Sequence, residues 1–420
     1  MWKISDGRLD YLVVFSCAAG PARPVGALTF EGVGRKRSSF FRYARSWLAA
    51  GGDGIDPVHL PRGRGAKRAP EGVEVPFPFL DAGPDGWGRA ILAHAFPEQY
   101  FGAAEYLAAT GDERAGELGF GPDAERPERW IPSRGTGPGP GGETSLAELQ
   151  DAAASIEEGR PTRADLALLF RASADTGGAR PKAAIRRDGV DWIAKFRALD
   201  DAWDEPRVEA CTLDLAEACG IEVSPREIVE VGGRAVLLVR RFDRIGDRRL
   251  GYTSAATLLS AHDLYSTSHS YAGLAARARE TGIHPCEEEL FRRMLFNCFV
   301  RNTDDHLRNH GFIRTDGRWR LSPAFDLKAN RPRNLVLRPA PGISAAADPN
   351  GAFAAHPAFG LSRPRAAAIH EEIVAGLERL DEILDRRGIA SRDRRTLREG
   401  VWTTVWHPPP LSGSVAGVRP

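Results

Sequence analysis

Three two-residue turns constrain the fold of this 420-residue chain more than any other feature. They lie at 188–189, 232–233 and 316–317 and read Asp-Gly, Gly-Gly and Asp-Gly, each between two strand-like runs. Residue pairs of this kind adopt positive φ readily and therefore close tight antiparallel hairpins. An amphipathic helix over 206–220 separates the first two hairpins, and mostly helical sequence surrounds the third. This order predicts an α+β chain with a hairpin-rich part and a helical part.

The composition narrows the class of protein. The formal net charge is +1, so no strong field draws the chain to nucleic acid or to a membrane surface. The 5 cysteines are scattered and form no C-x-x-C pair, which argues against a disulfide framework or a zinc site and is typical of reduced cytoplasmic thiols. No apolar run approaches the roughly 18 residues of a membrane span, and no signal-peptide core is evident. We therefore expect a cytoplasmic globular protein.

Changes in composition suggest the domain boundaries. Residues 1–120 are predicted to form an α/β subdomain, and 121–150 are rich in Gly and Pro, as in a linker or an exposed loop. Residues 151–245 hold the first two hairpins, 246–400 are predicted to be mainly helical, and 401–420 are expected to be disordered.

The first subdomain shows two kinds of apolar pattern. Residues 10–16 and 24–32 alternate in the manner of strands. Residues 38–50, "SSFFRYARSWLAA", show a helical apolar period with Ser38 or Ser39 as the N-cap. We therefore expect two strands followed by a helix.

A polar stretch, "NTDDHLRNHGFI" over 302–313, follows a strongly apolar run. Asp304 and Asn309 are five positions apart, the third hairpin follows, and Asp326 stands at its end. Protein kinases place a catalytic Asp and a metal-binding Asn at this spacing, ahead of a second metal-binding Asp. Such residues serve phosphoryl transfer, in which a carboxylate orients the nucleophile and oxygen ligands hold Mg²⁺ on the phosphates.

Residues upstream of this stretch fit the same chemistry. The loop "SADTGGARPK" over 173–182 opens the first hairpin, and its glycines let backbone N–H groups approach a phosphate. Lys195 lies in the strand "WIAKF", and Glu209, on the next helix, is placed to pair with a lysine.

Each of these residues also has a plain structural explanation. Asp304 and His306 are compatible with a helix cap and a solvated turn, Lys195 with a snorkelling edge lysine, and Glu209 with an exposed helix face. An Asp/His metal site of hydrolase type is a further alternative, although no second histidine cluster has ligand spacing. The order of all the elements along one chain favours phosphoryl transfer.

The chain resembles the HipA-type serine/threonine kinases, which are toxins of bacterial toxin–antitoxin systems. The resemblance rests on "GGARPKA", "WIAKF", "VEACTLDLAEACGI", "RRFDR", "RRMLFNCFVRNTDDHLRNHGFI" and "WRLSPAFDL", and on "VGALTFEG", "FPFLDAGPDGWGR" and "GELGFGPD" nearer the N-terminus. It implies a bilobal protein-kinase-like fold with an N-terminal α/β subdomain and a mostly helical C-terminal lobe.

The resemblance also implies roles for individual residues in binding ATP and Mg²⁺. Asp304 would be the catalytic base, His306 would support its loop, and Asn309 and Asp326 would bind Mg²⁺. The residues that would contact the nucleotide are Gly177, Gly178 and Lys182 in the phosphate loop, Lys195 at the phosphates with Glu209 as its pairing partner, and Arg241 and Phe242 at the adenine hinge.

The chain departs from the family pattern at two places. Family members often carry an autophosphorylated Ser near the start of the phosphate loop, whereas this chain has Ser173 and Thr176 with Asp175 between them. We expect Thr176 to be the acceptor, because it directly precedes the glycines. Arg240 stands where an acidic residue often opens the hinge, so adenine contacts would rest on main-chain atoms.

Partners and substrates follow from the resemblance as well. We expect a HipB-like antitoxin with a helix-turn-helix, DNA binding only through that antitoxin, and a translation-related protein substrate such as an aminoacyl-tRNA synthetase. One alternative is a small-molecule phosphotransferase of aminoglycoside-kinase type, which usually has His two residues before the Asp, where this chain has Asn302. Another is a catalytically inactive kinase-like module that acts only through an antitoxin.

Overall fold

The computed structural model describes residues 1–5, 7–131, 145–330 and 332–400. The predicted disordered tail, 401–420, and part of the predicted linker therefore lie outside the described residues. The chain forms two compact units. Unit 1 is Met1–Pro206, Ser224–His262 and His310–Ser322, and unit 2 is Arg207–Val223, Asp263–Asn309 and Pro323–Pro420.

Every strand in the described part of the chain belongs to unit 1. The strands are β1 Ile4–Ser5, β2 Arg8–Leu9, β3 Tyr11–Ser16, β4 Arg23–Glu31, β5 Ser38–Tyr43, β6 Lys67–Arg68, β7 Leu118–Gly121, β8 Lys182–Arg187, β9 Val190–Lys195, β10 Arg226–Val231, β11 Arg234–Arg240, β12 Arg244–Ile245, β13 Arg248–Arg249, β14 Gly251–Ser254, β15 Gly311–Thr315 and β16 Arg318–Leu321. They form three larger sheets, in the orders β6-β5-β4-β3-β7, β10-β11-β9-β8 and β14-β15-β16. The pairs β1-β2 and β12-β13 form two further sheets.

The helices divide between the units. Those of unit 1 are α1 Arg45–Ala49, α2 Phe77–Asp81, α3 Gly86–Ala95, α4 Ala103–Ala109, α5 Leu146–Glu157, α6 Arg163–Ala172 and α8 Ala255–Leu258. Unit 2 holds almost all of α7 Glu205–Ala218, together with α9 Tyr271–Glu280, α10 Glu287–Val300, α11 Pro349–Phe353, α12 Arg363–Leu377, α13 Leu380–Arg386 and α14 Ser391–Gly400. Among the described residues, no helix is both long and apolar enough to cross a membrane.

The three predicted hairpins are confirmed as β8–β9, β10–β11 and β15–β16. Both central residues of each turn have positive φ, as a tight hairpin turn of this type requires: 51° and 74° at 188–189, 56° and 75° at 232–233, and 50° and 76° at 316–317. The third hairpin gains a strand that the sequence did not reveal, because β14 pairs with β15.

The helix predicted over 38–50 is wrong for its first half. Residues Ser38–Tyr43 form β5, which pairs with β4 on one side and β6 on the other, and only Arg45–Ala49 are helical. Ser39, Phe41 and Tyr43 alternate on the buried face of the strand. The six residues fit both the helical period and the strand period of apolar residues. Pairing with two neighbouring strands decides in favour of the strand.

Unit 2 is organised around α10. Residues 290–300 of this helix are all buried, which explains why its sequence is apolar on every face. Its two buried arginines have partners: Arg292 donates to the Cys219 carbonyl and pairs with Glu372, and Arg293 pairs with Glu289. The helix ends at Arg301, which adopts a left-handed conformation (φ 50°) and turns the chain into the polar stretch.

A buried charge cluster fixes the end of β11 in unit 1. Asp243 accepts hydrogen bonds from Arg241, Arg244 and the Gly116 N–H. Burial alone would raise the pKa of Asp243, but the two guanidinium groups hold it well below its usual range. Arg241 and Arg244 also donate to the Arg114 carbonyl. The "RRFDR" motif therefore holds the 111–117 loop against the end of β11.

Replacing Asp243 with Ala should lower the free energy of unfolding by about 3–5 kcal/mol, because two buried guanidinium groups lose their carboxylate. Denaturant unfolding followed by circular dichroism measures this change. Asp247→Ala is the control, since it removes an exposed ion pair with Arg186 and should cost at most about 1 kcal/mol. Equal losses in the two variants would contradict the role given to the cluster.

Candidate functional site

The candidate residues fall into two groups, one in each unit. In unit 1, the loop 173–182 joins α6 to β8. Gly178 has a φ of +87°, and a Cβ at this position would collide with Nζ of Lys182. The Lys182 ammonium therefore lies against Gly178. A Cβ at Gly177 would meet nothing within 4 Å, so this side of the loop is open.

Trp87 holds the second half of this loop. Its main-chain N–H donates to the Gly178 carbonyl (2.8 Å) and its indole Nε1 donates to the Lys182 carbonyl (3.0 Å). The flanking glycines allow the close approach, because a Cβ on Gly88 would lie 2.5 Å from the Ala174 carbonyl oxygen. The "DGWG" motif at the start of α3 is thus part of the support of the loop.

Asp175 fixes the beginning of the loop. Its carboxylate accepts from the N–H groups of Gly111 (2.8 Å) and Glu113 (3.0 Å) and pairs with Arg129. The neighbouring hydroxyls, of Ser173 and Thr176, are buried, and Thr176 Oγ1 donates to the Ser173 carbonyl (2.7 Å). Phosphorylation of either residue therefore requires this loop to open.

Lys182 and Lys195 are directly opposite each other on β8 and β9. Directly paired residues on antiparallel strands project from the same face, with Cβ atoms about 5 Å apart, and like charges in such a pair repel. An anion that contacts both ammonium groups turns this repulsion into attraction. Two of only six lysines in the chain are thus placed together beside a glycine loop.

The Arg241 side chain is committed to contacts within the protein. All five of its N–H donors are used, by Asp243, by the Glu113 side chain and by the Glu113 and Arg114 carbonyls. At the predicted hinge, Arg240 is exposed and Phe242 is half-buried, with its ring 6.3 Å from that of Tyr252. Any contribution of Arg241 to adenine binding therefore comes from its main chain.

The second group lies in unit 2 and centres on Asp304, whose side chain is 45% exposed. Asn309 Nδ2 donates to the Asp304 carbonyl (2.7 Å), and the Asn309 N–H donates to the His306 carbonyl (2.8 Å). These bonds close the loop and explain the five-residue spacing. His306 Nε2 lies 4.0 Å from Asp304 Oδ1, and the His306 ring lies edge-on to Tyr265 at 5.6 Å.

A buried polar network supports this loop. Tyr271 donates to Asp305 Oδ2 and accepts from Asn297 Nδ2, both at 2.7 Å, and Asn297 Oδ1 accepts from Asn302 (3.1 Å). The other oxygen of Asp305 accepts from the Val336 N–H (2.7 Å). Burial raises the pKa of Asp305 to about 7, although both hydrogen bonds act in the opposite direction.

Asn309 and Asp326 have the donor chemistry that Mg²⁺ prefers, because both offer side-chain oxygens. The hydrogen bond from Asn309 Nδ2 leaves Oδ1 of its amide available as a ligand. Asp326 has a φ of +53°, a conformation that is uncommon outside glycine and clusters at functional sites. Lys328 Nζ lies 3.9 Å from Asp326 Oδ1. Two protein ligands are usual for Mg²⁺ that also binds substrate phosphates, so these residues fit the ion.

Glu209 is buried in α7, so the exposed-face explanation of this acid does not hold.

Sequence reasoning missed Trp87, Tyr271 and Asp305. Two signals were present: a tryptophan between two glycines in "DGWGR", and Asn297 within the apolar run "LFNCFV". Their partners are distant in sequence, which is why the pattern alone did not reveal them.

Comparisons with known proteins identify the family and the fold of the chain. The HipA-like C-terminal domain matches residues 174–380, and the HipA N-terminal domain matches residues 20–121. HipA of Shewanella oneidensis MR-1, solved with HipB and operator DNA, is similar in structure with a TM-score of 0.62 and 16% identity, over 92% of this chain and 94% of that chain.

The Helicobacter pylori proinflammatory kinase CtkA aligns over 51% of this chain and 90% of that chain, at 14% identity and a TM-score of 0.35, which is too low to support an argument. No curated protein sequence matches the chain.

The fold is therefore of the protein-kinase-like α+β class, with a strand-rich unit that carries a glycine loop and a helical unit that carries the D-x-x-x-x-N loop. The chain belongs to the HipA family, since the two domain matches together span most of it. Both conclusions confirm the expectations from the sequence.

Trp87→Phe should weaken ATP binding. The change keeps an aromatic ring and the main-chain N–H but leaves the Lys182 carbonyl without its indole donor, which costs about 1–3 kcal/mol. Calorimetric titration with Mg-ATP measures the affinity. Trp47→Phe is the matched control, because it removes a comparable indole bond, to the Asp53 carbonyl, outside the loop. Equal affinity in both variants would contradict a role for Trp87 in shaping the loop.

The contribution of Asp305 to the stability of the protein should fall as the pH rises from about 4 to about 7. A carboxyl whose pKa is about 3.9 when unfolded and about 7 when folded binds more protons in the folded state across that window. Asp305→Asn should flatten this part of the profile, whereas Asp381→Asn, at an exposed ion pair with Arg398, should preserve it. Denaturant unfolding at several pH values provides the measurement, and an unchanged slope in Asp305→Asn would refute the assignment.

Proposed function

We propose that this chain is an ATP-dependent serine/threonine protein kinase and the toxin of a bacterial toxin–antitoxin system. The observation that carries the proposal is the direct pairing of Lys182 with Lys195 beside Gly177 and Gly178. This arrangement fits the polyphosphate of a nucleotide. Family membership and the D-x-x-x-x-N loop of unit 2 support the same reading.

The residues divide the work of phosphoryl transfer. Lys182 and Lys195 hold non-transferred phosphates, and the open side of the loop at Gly177 admits them. Asp304, exposed at the surface of its loop, accepts the proton of the substrate hydroxyl as its oxygen attacks the γ-phosphorus. Asn309 and Asp326 hold Mg²⁺, which when bound neutralises charge on the phosphates.

The proposal includes the partners of the protein. The Shewanella HipA was solved with HipB and operator DNA. By analogy, we propose a HipB-like antitoxin with a helix-turn-helix as the partner, and contact with DNA only through it. The proposed substrate is a translation-related protein such as an aminoacyl-tRNA synthetase, and the enzyme phosphorylates itself as well. Cytoplasmic location follows from such partners.

Asp304→Asn should reduce phosphorylation of proteins in a host lysate by about 10²–10⁴-fold, since a general base typically contributes that much. Asp316→Asn, at the exposed turn of the third hairpin, is the control with the same change in charge and should keep full activity. Mass spectrometry of phosphorylated lysate proteins measures this change.

Asp326→Ala should weaken Mg-ATP binding, because it removes one of the two proposed ligands of the ion. Calorimetric titration with Mg-ATP measures the affinity.

Expression of the wild-type chain should also arrest growth of a related bacterium, and Asp304→Asn should relieve the arrest. Equal growth arrest by the wild-type and Asp304→Asn chains, at equal protein levels, would favour a kinase-like module that acts without catalysis. Phosphorylation of small molecules with no labelled protein would favour the aminoglycoside-kinase alternative.

A further inference from the structure

The loop Asp263–Ser270 of unit 2, "DLYSTSHS", lies beside the segment that follows Asp304. Contacts hold it there near its start and directly after its end. Near its start, the Tyr265 ring lies 5.6 Å from the His306 ring. Directly after its end, Tyr271 donates to Asp305 (2.7 Å). The loop is thus fixed to two consecutive residues that follow Asp304.

Between these two contacts the loop presents three consecutive hydroxyl residues. Thr267 and Ser268 are exposed and Ser266 is half-buried. Ser266 and Ser268 share a hydrogen bond between their hydroxyls (2.8 Å), whereas the Thr267 hydroxyl has no partner in the described part of the chain. By contrast, the hydroxyls of the phosphate loop are buried. Acceptors are therefore accessible in the Asp263–Ser270 loop without any opening.

A buried guanidinium donor and a buried imidazole nitrogen adjoin the same loop. Arg338 forms a bridge with Ser270, and its carbonyl accepts from the Tyr271 N–H (3.0 Å). Its Nε is buried and has no hydrogen-bond partner among the described residues, and the same holds for Nδ1 of His306. A phosphoryl group brings three strong acceptor oxygens and roughly −1.5 to −2 charges, which such donors favour.

We propose that the chain phosphorylates itself within Ser266–Ser268, with Thr267 as the first acceptor. This inference rests on the proposed kinase function. The hydroxyl oxygen bonds to the γ-phosphorus of ATP, the bond from that phosphorus to the bridging oxygen of ADP breaks, and the hydroxyl proton passes to the Asp304 carboxylate. ADP leaves, and the phosphoryl group remains on the loop beside Arg338.

The primary test uses the unaltered full-length chain. After incubation with Mg-ATP and digestion with trypsin, the peptide that contains 266–268 should carry phosphate, as located by fragment-ion mass spectrometry. The Asp304→Asn chain should lack this signal. A Ser266→Ala, Thr267→Ala, Ser268→Ala triple variant should lose it, while Ser344→Ala, which removes an exposed serine of the same unit, should retain it.

The outcomes separate this proposal from the proposed function. Phosphate confined to 173–182, or to any other segment, would overturn the inference while leaving the kinase function intact. An unmodified chain that phosphorylates lysate proteins would do the same. If neither the chain nor the lysate is labelled, both proposals fail.

Discussion

One buried carboxylate, Asp243, holds together the parts of unit 1 that support the candidate loop 173–182. It joins the end of β11 to the 111–117 loop, which lies in the region that matches the HipA N-terminal domain. A buried pair of this kind is costly to break, whereas exposed ion pairs contribute little. Trp87, from the same N-terminal region, reaches the phosphate loop directly. The N-terminal domain is therefore part of the support of the candidate site.

Two adjacent carboxylates of unit 2 have opposite surroundings. The Asp304 side chain is 45% exposed, whereas Asp305 is buried and bonded to Tyr271 and Val336. Such a network is valuable only when its members are satisfied, because an unpaired polar group is costly at low dielectric. Burial raises the pKa of Asp305, and a bond from Asn309 to the Asp304 carbonyl holds the neighbouring residue.

Particular elements show how far prediction from sequence reaches. The three hairpins were predictable because their turn residues take positive φ at little cost. The order of Lys182, Lys195, Asp304, Asn309 and Asp326 indicated phosphoryl transfer. The segment 38–50 was mispredicted because its first six residues fit both a helix and a strand. Arg241 stays a predicted hinge residue through its main chain, and only the structure shows that its guanidinium is occupied by Asp243 and Glu113.

The sequence by itself determined the local features: turns, helix ends and the five-residue spacing that the bond from Asn309 to the Asp304 carbonyl requires. Each of these depends on residues a few positions apart. Only the tertiary structure decided that Trp87 supports the loop 173–182 and that Tyr271 supports Asp305. These contacts join residues 95 and 34 positions apart, and the packing of distant segments brings them together, which local periodicity does not report.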